Sequence, residues 1–432
     1  MKKLIAIFVG LMLAMSSISF TAAAAAPQPQ IAADSAVLID AATGQVLYDK
    51  QMNKQKFPAS TTKIMTALLA LENLKLTQKV IIDAVTPYTG GSRIYLIEGE
   101  EVTVEQLLNA ALIESANDAA AALAIQVSKT IPEFAKLMNE RAKELGAKNT
   151  SFTNPNGLPD VNHLTTAYDL AMVARQAMTY PEFRKIVSTY KYTFTATNKQ
   201  PERYLYNGNR LIWDTQSKVV LNGISLPIKY EGATGIKTGY TIAAGGCLVA
   251  SAKRNGTELI AVIFQTDPNN LFLDGIKLLD FGFAGFKSVE VVSQGTPMGE
   301  VIIKGGKTSS VKVIVKNSAM ATLPLELSPD ILRTEIDLPK QLMAPIAKDQ
   351  KLGSIKIYET DKVMGEYDLV AETAVSESFW MNLPALALGS TGYLKYLALI
   401  LVALGLLVLG LRIHFKRRRI KRRKLRKHLQ QR

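Results

Sequence analysis

A 21-residue run from Tyr393 to Ile413 carries only two charges, Lys395 and Arg412. No other feature limits the fold of this chain as sharply. A run of that length and apolarity spans a bilayer core of about 30 Å as a helix. A helix suits that setting because its backbone hydrogen bonds close on themselves in lipid. Directly after it comes Lys416-Arg417-Arg418-Arg419-Ile420-Lys421-Arg422-Arg423-Lys424. A basic cluster in that position reads as a cytoplasmic stop that grips anionic headgroups, not as a nucleic-acid patch. The opposite end reads as an export signal: Lys2 and Lys3, an apolar core from Leu4 to Met15, and an Ala-x-Ala type zone over Ala23 to Ala26. The expected topology is a large extracytoplasmic body, one span and a short basic tail.

Charge and composition agree with that partition. The formal net charge is +14 over 432 residues. Residues 412–432 hold twelve Lys or Arg and no acid, and the signal holds two Lys, so the exported part is neutral overall. The basic pI therefore gives no reason to expect a nucleic-acid partner. Cys247 is the single cysteine, which rules out an intramolecular disulfide and a cysteine metal site. Of three histidines, only His163 lies outside the anchor and tail, so a Ser-His-Asp triad would have to use it. One exported histidine cannot build a multi-histidine metal site, and this scarcity favours a lysine-based mechanism.

Along the exported part, Ala36–Asp40 and Gln45–Tyr48 read as two strands around a turn at Thr43-Gly44. Residues 105–128 are helical in composition but are interrupted at Ser115-Ala116-Asn117. Residues 131–145 form an amphipathic helix closed by Gly146, and 166–178 a helix capped by its threonine. Tyr190 to Thr197 alternates like a strand. Gly235–Ala252 and Glu258–Gln265 read as two buried strands turning at Asn255-Gly256, and Ile276–Phe283 as a closing helix. From Lys287 the composition changes to short β-like runs: 289–292, 301–304, 311–316, 334–338 and 351–358.

Three motifs carry chemistry. In Pro58-Ala59-Ser60-Thr61-Thr62-Lys63, a proline suited to a helix start is followed by an apolar run. Ser60 and Lys63 then share one helix face a turn apart. A serine hydroxyl needs a base, and an amine serves if desolvation and a neighbouring cation hold it neutral. The helix start also offers free N–H groups to an oxyanion. At Ser115-Ala116-Asn117 a hydroxyl and an amide could face a cleft together. Gly235-Ile236-Lys237-Thr238-Gly239-Tyr240 places a lysine in an apolar strand, which costs free energy unless it is paired or functional. Its glycines allow close approach by a ligand, and an edge strand of this kind binds extended peptides.

In this order the three motifs resemble those of the serine DD-peptidases and penicillin-binding proteins: Ser-x-x-Lys, Ser-x-Asn and Lys-Thr-Gly. The chain is most similar to the low-molecular-mass D-alanyl-D-alanine carboxypeptidases. Asn154-Pro155-Asn156-Gly157-Leu158, residues 163–169 and Gly232 to Gly245 extend the resemblance over roughly residues 34–285. It implies an acylated nucleophile at Ser60, a base at Lys63, a proton relay at Ser115, and Asn117 holding Lys63 and the substrate amide. It implies further that Lys237 contributes positive charge, that Thr238 binds the substrate's terminal carboxylate, and that Gly239 lies on the binding strand. The N–H groups of Ser60 and Tyr240 would form the oxyanion hole. Implied ligands are peptidoglycan stem peptides as substrate and β-lactams as covalent inhibitors, and the implied reaction needs no metal or cofactor. One departure concerns the arginine that some members carry after the strand following Lys-Thr-Gly: here, Gln265 to Lys277 contains none.

The expected architecture is a signal (1–26), a catalytic domain (27–285), an all-β domain (287–372), a linker (373–392), a transmembrane helix (393–413) and a basic tail (414–432). The catalytic domain is expected to be mixed α/β, with a mainly antiparallel sheet and a helical lobe inserted between about residues 85 and 185. The β domain is expected to be a small sandwich. Competing readings are a β-lactamase, a DD-endopeptidase using the same residues, and a silent wall-binding protein. A class A β-lactamase would want Ser-Asp-Asn where this chain has Ser115-Ala116-Asn117. His163 reads as a loop brace and Cys247 as a small core residue.

Overall fold

The computed structural model describes residues 28–378 and 390–429. The expected signal lies outside the described residues, as does 379–389 of the expected linker. The chain divides into one unit of residues 1–293, 318–335 and 356–366 and a second of 294–317, 336–355 and 367–432.

The first unit is built on five antiparallel strands. β1 (Ser35–Asp40) and β2 (Val46–Lys50) open the chain. Three short ribbons follow: β3 (Lys79–Ile81) with β4 (Glu101–Thr103), β5 (Lys191–Phe194) with β6 (Arg203–Tyr206), and β7 (Lys218–Leu221) with β8 (Ile224–Pro227). β9 (Ala233–Thr241), β10 (Gly245–Arg254) and β11 (Thr257–Thr266) complete the main sheet, whose order is β2-β1-β11-β10-β9. Between β2 and β9 run the helices α1 (Lys63–Asn73), α2 (Val104–Ile113), α3 (Asn117–Ser128), α4 (Ile131–Glu144), α5 (Ala167–Ala177) and α6 (Pro181–Val187). After β11 comes α7 (Leu271–Gly285).

The period of two along each strand sorts the core into two layers. Val37, Ile39, Val249, Ile260, Val262 and Phe264 face the layer of α1 to α6. Their neighbours Leu38, Leu248, Ala250, Leu259, Ala261 and Ile263 face α7. β11 is apolar on both faces because it is covered on both. It pairs with β1 from Ser35↔Phe264 to Asp40↔Leu259.

Asn255-Gly256 closes β10 onto β11 with both residues at positive φ, +48° and +83°, which a two-residue hairpin turn requires. The expected single strand Gly235–Ala252 is two strands. The chain turns at residues 242–244, where Thr241 Oγ1 accepts from the Ala244 N–H at 3.0 Å and Gly245 takes φ +65°. α7 begins five residues earlier than the apolar pattern indicated, at Leu271. The break at Ser115-Ala116 falls where expected, between α2 and α3, and Thr166 caps α5 by accepting from the Asp169 N–H at 3.0 Å.

Strand β12 (Phe286–Val292) pairs antiparallel with β15 (Ala319–Pro324) within the first unit. In the second unit β13 (Pro297–Lys304) pairs antiparallel with β14 (Ser310–Val315) and parallel with β17 (Gln341–Met343). β14 also pairs with the end of β19 (Lys362–Ala371), from Val313↔Ala371 to Val315↔Leu369. β16 (Leu332–Asp337) and β18 (Lys351–Glu359) complete the all-β segment. α8 (Ser390–Leu429) carries the apolar run and continues through the basic stretch. Its segment Lys395–Lys421 is long and apolar enough to cross a membrane, by length and composition.

Gly282 of α7 shows how tightly the α7 layer sits on the sheet. A Cβ there would lie 2.5 Å from a Leu259 methyl and 2.8 Å from a Leu38 methyl. Gly282→Val is therefore expected to cost about 1–3 kcal/mol, read as a lowered Tm by calorimetry with penicillin labelling retained. An unchanged Tm would contradict this packing.

Candidate active site

The local fold around Ser60 is a single 3-10 turn, Ala59–Thr62, that feeds directly into α1. Ala59 has φ +48°. The turn is held from inside: Thr61 Oγ1 donates to Pro58 O at 2.6 Å and Thr62 Oγ1 to Ala59 O at 2.9 Å. Lys63 is the first α-helical residue and is 0% exposed.

Lys63 Nζ has three oxygen partners: Ser60 Oγ at 3.0 Å, Asn117 Oδ1 at 2.6 Å and the Asn156 carbonyl at 2.9 Å. The Asn117 amide is oriented by its own Nδ2, which donates to Gly90 O at 2.7 Å, so its oxygen must face the lysine. Burial pushes the Lys63 pKa well below the ordinary lysine value, the nearby Lys237 charge lowers it further, and Asp118 opposes both. A neutral amine has two hydrogens and one lone pair. Asn117 Oδ1 and the Asn156 carbonyl can only accept. They take both hydrogens and leave the lone pair for the Ser60 hydroxyl, the geometry of a nucleophile with its base.

The loop that supplies the Asn156 carbonyl is folded by its own side chains. Asn154 Oδ1 accepts from the N–H groups of Gly157 (2.8 Å) and Leu158 (3.1 Å), and Thr66 Oγ1 donates to Pro155 O at 2.5 Å. Gly157 has φ +85°, and a Cβ on it would stand 1.8 Å from Ala59 O. Only glycine lets this loop lie against the Ser60 turn.

β9 passes the turn on its other side. A Cβ on Gly239 would come 2.9 Å from Ser60 N and 3.2 Å from Thr61 N. Gly239, Thr238 and Tyr240 are thus on the strand that runs past the nucleophile, and β9 is the outer strand of its sheet. Lys237 is 2% exposed and donates to Thr238 O at 3.0 Å. Burial lowers its pKa to about 7, and the Glu114 carboxylate opposes that shift. Ser115 stands half-buried between α2 and α3 with φ +63°, next to Asn117. Tyr240 is largely exposed at the end of the strand.

His163 takes no part in a triad. Its Nδ1 accepts the Thr153 N–H at 3.0 Å, so the proton is on Nε2, which donates to Thr62 Oγ1 at 2.8 Å. It is buried and ties the Asn154 loop to the turn bearing Ser60, as a loop brace. Cys247 is fully buried with its Sγ 3.6 Å from Phe57 O, and burial pushes its thiol up to about 12, which makes it inert. The Asn156 carbonyl is the contact that sequence reasoning left without a role. The turn-forming Asn-Pro-Asn-Gly run marks the loop, but nothing local shows that it reaches Lys63.

Residues 21–268 match the family described as D-alanyl-D-alanine carboxypeptidase, and residues 286–377 match the penicillin-binding protein 5 C-terminal domain. The chain is 36% identical over 346 residues to the D-alanyl-D-alanine carboxypeptidase DacF of Bacillus subtilis, covering 79% of this chain and 85% of that one. It is 31% identical over 365 residues to DacD of Escherichia coli, covering 81% and 89%. Among solved structures, penicillin binding protein 5 from Haemophilus influenzae superposes with a TM-score of 0.62 at 30% identity, covering 82% of this chain and all of that one. The Streptomyces K15 DD-transpeptidase gives 0.54 at 32% identity, covering 60% and 100%.

The His163 brace has a pH signature. Burial lowers its pKa from 6.5 to about 4 in the fold. A histidine buried neutral contributes stability that is complete above pH 6.5 and is lost as pH falls toward 4, on the order of 3 kcal/mol. Denaturant unfolding at pH 7 and pH 4.5 should show that loss in the native chain and a smaller one in His163→Gln. Equal losses would remove His163 as the cause.

Proposed function

The chain belongs to the D-alanyl-D-alanine carboxypeptidase family, and from that premise we propose that it is a membrane-anchored serine enzyme that removes the terminal D-Ala from peptidoglycan stem pentapeptides on the extracytoplasmic face. The observation that carries the reading is the buried Lys63 amine, 3.0 Å from Ser60 Oγ, with its two hydrogens taken by Asn117 and Asn156. That arrangement supports acyl transfer without a cofactor.

Ser60 Oγ attacks the carbonyl carbon of the penultimate D-Ala, and its proton passes to Lys63 Nζ. The oxyanion is received by the N–H groups of Ser60 and Tyr240. The C–N bond then breaks, and the proton reaches the departing D-Ala nitrogen with Ser115 as relay. Water attacks the acyl carbon of the Ser60 ester as Lys63 takes its proton, and as the C–Oγ bond breaks Lys63 returns that proton to Ser60 Oγ, which frees the shortened peptide and restores the neutral amine. Lys237 supplies positive charge beside Ser115, while Thr238, Gly239 and Tyr240 align the substrate along the edge of β9. A β-lactam amide is opened by the same serine, but its leaving nitrogen stays tethered and blocks the water step. Residues 393–413 serve as anchor, and the basic stretch at 416–424 lies on the cytoplasmic side against anionic headgroups.

The detergent-solubilised full chain, incubated with diacetyl-Lys-D-Ala-D-Ala, should release D-Ala and form a long-lived adduct with a fluorescent penicillin. An adduct without D-Ala would favour an endopeptidase or a silent binder, and fast penicillin turnover without D-Ala a β-lactamase. Ser60→Ala should abolish both signals with Tm nearly unchanged; labelling at another residue in that variant would sink the assignment. Lys63→Ala should lower the acylation rate about 10²–10⁴-fold.

The pH profile of kcat/KM follows from the two lysines. Lys63 must be neutral, so the rate rises with pH through its depressed pKa. Lys237 must be protonated, so the rate falls as pH passes about 7. Lys237→Arg, which stays charged, should lose the limb near 7; a limb unmoved in that variant would assign it to another group.

A further inference from the structure

A cavity of about 200 Å³ opens between α2, α6 and β5, and no residue of the Ser60 site lines it. Its walls differ in chemistry. α2 contributes Glu105 and Asn109, one turn apart on the same helix face. α6 contributes Lys185 and Ile186, with Glu182 one turn before them. Leu76 adds apolar surface, and Tyr192 of β5 closes one side.

Asn109 is the residue that calls for a ligand. Its side chain is 4% exposed, and its Nδ2 donates to Glu105 O at 2.8 Å. That bond orients the amide, because only the nitrogen can donate to a carbonyl. Oδ1 is the atom left for the cavity, and among the described residues nothing donates to it. A buried acceptor without a donor is costly, so a donor belongs inside the cavity.

The charges around it are open as well. Among the described residues neither the Glu105 nor the Lys185 side chain has an ion-pair or hydrogen-bond partner. Burial raises the pKa of the Tyr192 hydroxyl, and the Glu105 carboxylate raises it further, which puts that carboxylate beside the cavity wall. A carboxylate and an amide oxygen on α2 suit an ammonium group. A lysine on α6 suits a carboxylate, and Leu76 and Ile186 suit a short apolar side chain. Two glutamates against one lysine disfavour a multiply charged anion such as phosphate. The size agrees: the cavity holds several times the roughly 30 Å³ share of a water, and falls below the about 300 Å³ at which drug-sized sites begin.

We infer that this cavity is a binding site for a small zwitterionic amino acid, with its ammonium on Glu105 and Asn109 and its carboxylate on Lys185. Such a ligand bridges two supports of the catalytic cleft. α2 leads into Ser115, and α6 carries Val187, whose methyl lies 2.7 Å from where a Gly235 Cβ on β9 would be. The class includes the D-alanine released by the reaction proposed above, and that link alone rests on the carboxypeptidase reading.

The test uses the full chain in detergent after acylation with benzylpenicillin, which fills the Ser60 site. Calorimetric titration with D-alanine, L-alanine, n-propylamine and propionate reads the Kd of each. One equivalent of alanine should bind with a Kd of about 1 mM or tighter, and n-propylamine and propionate at least about 10-fold more weakly. Glu105→Gln and Lys185→Gln should each raise the Kd for alanine about 10- to 100-fold, whereas n-propylamine should lose affinity only in Glu105→Gln. Labelling by a fluorescent penicillin at the native rate verifies that each variant is folded. Absence of alanine binding, or binding that neither substitution weakens, would overturn the site. Equal affinity for alanine and n-propylamine would overturn the zwitterion. Saturable alanine binding by a chain that releases no D-Ala from diacetyl-Lys-D-Ala-D-Ala would uphold the site and overturn the link to the reaction product.

Discussion

Desolvation of one lysine is the constraint on which the site depends. An ammonium ion with no solvent exposure is costly unless it is paired, and among the described residues no carboxylate is bonded to Lys63. The fold resolves this by holding the amine neutral and giving its hydrogens to two groups that can only accept. The Lys237 charge works in the same direction. The burial that would harm an ordinary lysine creates the base that a serine nucleophile needs.

Close backbone approach is the second requirement. Three segments meet around the 3-10 turn at Ser60: the turn itself, the Asn154 loop and β9. Gly157 and Gly239 are the points where any side chain would collide, at 1.8 Å and 2.9 Å from turn backbone atoms. Both glycines make room for a neighbouring backbone, and at Gly157 the φ of +85° adds a conformational need. His163 then locks the loop to the turn by bonding to both. The five-stranded sheet contributes rigidity, since β10 and β11 are buried on both faces and β9 is left as the edge.

Much of this was legible in the chain. The hairpin at Asn255-Gly256 is specified by residues that tolerate positive φ, and the break between α2 and α3 by a polar triplet in an alanine-rich helix. Local pattern misled where the signal was distributed. The turn at 242–244 lacks the usual turn residues and is set by the Thr241 hydroxyl and by Gly245, so it read as continuous strand. β17 and β19 gave no separate signal, because half-exposed strands in a small β segment alternate weakly; β15 is largely buried, and its short apolar run carries no alternation to read.

The sequence by itself determined the local features: the apolar run with its basic flank, and the placement of Ser60 and Lys63 one turn apart, which follows from helical period alone. Only the tertiary structure decided what the amine meets. Asn117 lies 54 residues from Lys63 and Asn156 lies 93 away. Contacts at such separations are fixed by how helices pack on a sheet. No period or motif encodes that packing, so the chain names its chemistry, and the fold alone sets the distances at which the chemistry works.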